Sequence, residues 1–127
     1  MESRRKILLI DEKWDTPLYL ALRGEGYEVR ACESPEKAWN LVFPLRPDFI
    51  ILHLHHPSRK DISALHECRA LAEGVPIIVA TSLPGHEAVM KALEEGATSF
   101  LSLPVKPETI RKVLDELDPG ANDSSTT

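Results

Sequence analysis

The sequence predicts a doubly wound α/β domain, a five-stranded parallel sheet with helices on both faces. Two observations lead there. Five short apolar runs recur along the chain: "KILLI" (6–10), "YEVRAC" (27–32), "FIILHL" (49–54), "PIIVAT" (76–81) and "SFLSL" (99–103). They lack clean alternation, as strands covered on both faces do. A segment of helical spacing follows each run, and strands alternating with helices in this way require right-handed crossovers and a parallel sheet.

Each helix can be justified in turn. In "DTP" Asp15 or Thr16 can cap and Pro17 fits the first turn, with Leu18, Ala21 and Leu22 on one face. "SP" repeats the device at Ser34 and Pro35, followed by Ala38, Leu41 and Val42. Asp61 is the expected cap of a third helix carrying Ile62, Leu65 and Leu71 or Ala72. A fourth runs from about Gly85 to Glu95, with Ala88, Val89, Ala92 and Leu93 inward and Gly96 as its stop. The last has the cleanest spacing, Ile110, Val113, Leu114 and Leu117. Residues 1–117 form the expected domain, and "DPGANDSSTT" (118–127) has nothing to bury and reads as a disordered tail or the start of a linker.

Composition narrows the function. At 127 residues the chain is one domain's worth, and 43% hydrophobic with 28% charged residues is ordinary globular usage. No apolar stretch reaches the ~20 residues needed to cross a bilayer, and "ILLI" is too short for the core of a signal peptide, so the cytoplasm is the expected compartment. A net charge of −5 with intermixed signs argues against binding nucleic acid through this domain. Cys32 and Cys68 have no metal-type spacing and are expected to be reduced packing residues.

Ligands of doubly wound sheets lie beyond the carboxyl ends of the strands. Those positions hold Asp11 and Glu12, then His53, then Thr81 and Ser82, then Leu103 and Pro104. No GxGxxG or GxxxxGK[ST] follows the first strand, which disfavours a nucleotide site.

Taken together, "ILLIDE", "PDFIILHLHHP", "PIIVATS" and "GATSFLSLPVKP" stand in the order and spacing of a response-regulator receiver domain, and residues 5–117 resemble that family. The resemblance implies a flavodoxin-like fold and a role in two-component signalling. In that family an aspartate ending the third strand takes a phosphoryl group from a histidine kinase, an acidic pair after the first strand holds Mg²⁺, a Thr or Ser ends the fourth strand, and a Lys before a proline ends the fifth. A carboxylate must attack phosphorus while cations neutralise the transferring oxygens. Here Asp11 and Glu12 match the acidic pair, Thr81 the hydroxyl and Phe100 the switching aromatic. His53 stands at the phosphoacceptor position and Leu103 at the lysine position, while Asp61 replaces a loop glycine. The resemblance is therefore to a degenerate member, a pseudo-receiver that is not an enzyme and has no catalytic residue.

For His53 the leading reading is an imidazole paired with Asp11 or Glu12 in place of Mg²⁺. The alternative is a metal- or pH-responsive module in which Asp11, Glu12 and His53 hold Zn²⁺ or Ni²⁺, Mg²⁺ binding being weak or lost; an unconventional phosphoacceptor is a further alternative. His55 and His56 are expected in solvent, Leu103 as packing over the emptied pocket, and Trp14 and Trp39 as structural or partly exposed residues. Output is expected through a protein partner or a homodimer on the face of the fourth helix, fifth strand and fifth helix, which carries Glu87, Lys91, Glu94, Lys106, Arg111, Lys112 and Asp115.

Overall fold

Thr16 and Ser34 each begin a helix by the same device. Each hydroxyl accepts from a backbone N–H three residues on, Tyr19 at 3.5 Å and Lys37 at 3.3 Å, and each is followed by a proline that is pre-set for the first turn. The computed structural model describes residues 5–13, 16–54, 59–71, 73–82 and 86–117. The strands are β1 (Lys6–Ile10), β2 (Glu28–Cys32), β3 (Phe49–His53), β4 (Ile77–Thr81) and β5 (Ser99–Ser102). The helices are α1 (Pro17–Gly24), α2 (Pro35–Leu45), α3 (Arg59–Leu71), α4 (His86–Glu94) and α5 (Pro107–Leu117).

All strand pairs are parallel and the order is β2-β1-β3-β4-β5, as expected for the doubly wound, flavodoxin-like class. The chain leaves β1 for one side of the sheet and returns on the other at β3. The order therefore reverses between these two strands, and their carboxyl ends flank the crevice where such folds place a site.

Two cores follow from strand alternation. Leu8, Ile10, Ile50, Leu52, Ile77 and Val79 pack under α2, α3 and α4 with Ala38, Val42, Leu65, Cys68 and Ala92. Ile7, Leu9, Phe49, Ile51, Ile78 and Leu101 pack under α1 and α5 with Leu18, Leu22, Ile110 and Leu114. Both cysteines are free thiols, and burial pushes the Cys68 thiol up to about 12, which keeps it protonated as a packing residue.

Three expectations need correction. "YEVRAC" forms a strand, but no residue of β2 is fully buried and Glu28 and Arg30 are exposed, because β2 is an edge strand with a single neighbour. Leu93 is 41% exposed whereas Ala92 is 4% exposed. Successive helical residues point about 100° apart, so a narrow contact line takes one of such a pair and leaves the other in water. The third helix begins at Arg59, so Asp61 is its third residue and not its cap. Asp is favoured both at the cap and in the first turn, and the sequence did not separate the two.

Gly96 ends α4 as expected. Its φ is +117°, a backbone conformation that L side chains rarely adopt, so the backbone demands glycine there. Trp39 is 47% exposed, within the expectation for it. Trp14, Asp15, His55, His56, Ala72, Gly85 and residues 118–127 lie outside the described residues, as do the side chains of Asp61, Ile62, Glu87, Ala88 and Val89. Among the described residues no helix is long and apolar enough to cross a membrane.

Candidate functional site

The ladder between β1 and β2 extends one residue past β1, with the Asp11 N–H donating to the Cys32 carbonyl at 2.9 Å. This fixes Asp11 over the end of the sheet. Asp11 and His53 continue the alternation of Leu9 and Ile51 on the α1/α5 face, and their side chains meet there: His53 Nδ1 lies 2.7 Å from Asp11 Oδ2.

The pair is enclosed. The His53 side chain is 8% exposed and that of Asp11 0%. An ionised carboxylate can only accept, and in that state of Asp11 it is Nδ1 that donates in this contact. Asp11 has further donors. The Lys13 N–H reaches Oδ1 at 3.0 Å and the Thr16 hydroxyl reaches Oδ2 at 3.4 Å, which ties the carboxylate to the cap of α1. Burial in low dielectric makes such a cluster costly to leave incomplete. Among the described residues no buried side-chain nitrogen or oxygen lacks a partner.

The other predicted residues are placed as follows. Glu12 is exposed, and among the described residues no hydrogen bond or ion pair joins it to His53. Thr81 ends β4, 2% exposed, and its carbonyl accepts from the Leu103 N–H at 2.9 Å. Alternation puts Thr81 on the opposite face from Ala80, which lies beside His53 in the register. Phe100 pairs with Val79 and packs, partly buried, against the α2/α3/α4 core. Leu103 packs partly buried against the α1/α5 core. Asp11 and His53 are thus brought into contact. Among the described residues no three His, Cys, Asp or Glu side chains are grouped so as to hold a metal ion.

Among the described residues, two clefts at the strand ends have His53 in their wall. One, of about 260 Å³, is lined by the carboxylate residues Asp11, Glu12, Glu33, Glu36 and Glu67. The other, of about 380 Å³, is lined by Thr16, Pro17, Leu18, Ala21, Ser82, Leu103, Pro104 and Val105. The sequence reading missed the three glutamates. Glu33 and Glu36 follow the carboxyl end of β2, so the rule that singled out Asp11 would have reached them; Glu67 comes from α3 and had no such signal. Glu33 is held below its usual range by its hydrogen bond and ion pair with Lys37, at 2.9 Å.

Residues 7–115 match the family described as Response regulator receiver domain. The DNA-binding response regulator MtrA of Mycolicibacterium paratuberculosis is 32% identical over 109 residues, covering 84% of this chain and 48% of that protein. The transcriptional regulatory protein ZraR of Escherichia coli K12 is 27% identical over 112 residues, 87% of this chain and 25% of that protein. The chain thus spans about half or less of the length of these curated relatives. Among solved structures, the receiver domain of sensor histidine kinase PA1611 from Pseudomonas aeruginosa, with a magnesium ion coordinated in its active site cleft, superposes with a TM-score of 0.71 at 27% identity, covering 91% of this chain and 98% of that one. Chemotaxis protein CheY4 of Vibrio cholerae has the same fold, with a TM-score of 0.75 at 24% identity, over 91% of this chain and 99% of that one.

Proposed function

The chain belongs to the response-regulator receiver family of two-component signalling, and from that premise we propose that it is a pseudo-receiver, a signalling module that works by protein contact without accepting a phosphoryl group. The observation that carries this reading is the 2.7 Å contact between His53 Nδ1 and a fully enclosed Asp11 carboxylate. His53 ends β3, the position at which the family holds its phosphoacceptor, and it supplies no carboxylate. Leu103, at the lysine position, supplies no cation for the transferring oxygens.

The residues present do not fit Mg²⁺. This hard cation needs near-octahedral oxygen donors. Oδ2 of Asp11 already faces the imidazole and the Thr16 hydroxyl, Oδ1 faces the Lys13 N–H, and Glu12 is exposed to solvent without a bond to the pair. The imidazole instead turns Nδ1 toward the carboxylate oxygen that a metal ion would have to reach. No step of phosphoryl transfer is therefore assigned to this domain, and it is not an enzyme in this reading.

Output is assigned to the face of α4, β5 and α5. Met90 and Leu93 are exposed there at 45% and 41%, beside the exposed charges Lys91, Glu94, Lys106, Lys112 and Asp115. Apolar side chains within mixed charges suit a partner or a second copy. Arg111, expected on this face, instead holds Glu25 at 3.3 Å and joins α5 to the end of α1.

Incubation with acetyl phosphate and Mg²⁺, followed by intact-mass measurement, tests the proposal. The wild-type chain is expected to stay unmodified, and a phosphoryl adduct mapped to the strand ends would end the pseudo-receiver reading. The variant carrying both His53→Asp and Leu103→Lys regains nucleophile and cation, frees Asp11 from the imidazole, and is expected to gain one adduct.

A further inference from the structure

We infer that the cleft between α1 and the segment following β5 is a binding site for a neutral, mainly apolar small molecule with a single hydrogen-bonding group. Its size suits such a ligand. About 380 Å³ falls within the ~300–1,000 Å³ typical of small-molecule sites. Its walls come from two elements far apart in sequence, α1 and residues 103–105, so the space is a gap between packed elements and not a dent in one of them.

Charge then selects the ligand. Among the described lining residues there is no Asp, Glu, Lys or Arg. Among these described residues a phosphate or carboxylate would meet no Lys or Arg and an ammonium no Asp or Glu, and the cost of taking a charge out of water is offset only by such pairing. Pro17, Leu18, Ala21, Leu103, Pro104 and Val105 offer apolar surface instead. The polar lining residues are few, Thr16, His53 and Ser82, which suits one donor or acceptor on an otherwise apolar molecule. The neighbouring cleft, across His53, has the opposite character, with five carboxylate residues in its lining. A cationic ligand would partition there.

The site also lies where occupancy can be felt. Thr16 lines the cleft, caps α1 and donates to Asp11, while the Leu103 N–H donates to the Thr81 carbonyl at the end of β4. The inference depends on the proposed function for what binding would regulate and not for whether binding occurs, so the mass measurement and the ligand titration fail separately.

The test uses three probes with one ring system: 2-naphthol, 2-naphthoate and 2-naphthylmethylamine, titrated against the whole chain while backbone and methyl NMR shifts are followed. Saturable shifts with 2-naphthol at Leu18, Ala21, Leu103 and Val105 are expected, with the anion and the ammonium binding at least ~10-fold more weakly. Ala21→Phe fills the cleft and should abolish the shifts, with the rest of the spectrum reporting an intact fold. Leu103→Lys should weaken 2-naphthol and reverse the preference toward 2-naphthoate. Absence of saturation by 2-naphthol, shifts centred elsewhere, equal binding of the three probes, or undiminished binding by Ala21→Phe would each overturn the inference.

Discussion

The two clefts at the strand ends share one wall and differ in almost everything else. On the side of β1 and β2, carboxylate residues line about 260 Å³, and the innermost of them, Asp11, is enclosed and held by three donors. On the side of α1 and β5, about 380 Å³ is bounded by prolines and aliphatic side chains. On the proposed reading, the two departures from the family pattern act on opposite halves of one mouth: His53 turns Nδ1 toward the Asp11 carboxylate in the first half, and Leu103 places an aliphatic side chain in the second. Stability should therefore be concentrated in the acidic half, where buried polar groups depend on one another.

Removing the shared wall should have the largest effect. His53→Ala leaves the Asp11 carboxylate enclosed without its imidazole, and breaking a buried pair in this way costs about 3–5 kcal/mol. Urea denaturation should show the midpoint fall with an unchanged slope. A loss smaller than that of an ordinary surface substitution would mean that the pair contributes little and that the two halves do not differ in stability.

Asp11→Asn keeps the shape and an acceptor for Nδ1 but removes the charge. A loss of about 2 kcal/mol is expected, the scale of a hydrogen bond to a charged group. A double-mutant cycle between positions 11 and 53 should give a clear coupling energy, and additivity would show that the 2.7 Å contact carries no energy of its own.

The smallest of the three effects belongs to the residue that touches both halves. Thr16→Ala removes the cap of α1 and one donor to Asp11, for about 1 kcal/mol, while Thr16→Ser should restore most of it. Amide exchange near α1 distinguishes the cap's local effect from a global one. Equal loss from both variants would mean that the methyl group, and not the hydroxyl, is what matters.

Much of this was legible in the residues themselves. Apolar runs gave the strands because a strand buried on both faces must be apolar throughout, and "TP" and "SP" marked two helix starts because capping and the fixed φ of proline are local effects. Strand ends could be searched for function because the parallel topology puts ligands there. Asp11 and His53 were found in that way, 42 residues apart in sequence.

Other features were decided only by packing. That β2 is an edge strand, and so not buried, depends on which strands pair and not on its own composition. Leu93 faces water while Ala92 is covered because the line of contact of α4 is set by its neighbours. Composition could name Asp11, Glu12 and His53 as one set of candidates, but distance separates them: Asp11 and His53 make an enclosed pair, and Glu12 joins the glutamates that follow β2 and the one on α3 around an acidic cleft. The apolar cleft has no sequence signature at all, since it exists only where α1 and the chain after β5 leave space between them. Local preferences act within a few residues and can be read in order, whereas contacts and gaps arise between surfaces that the chain brings together only when it folds.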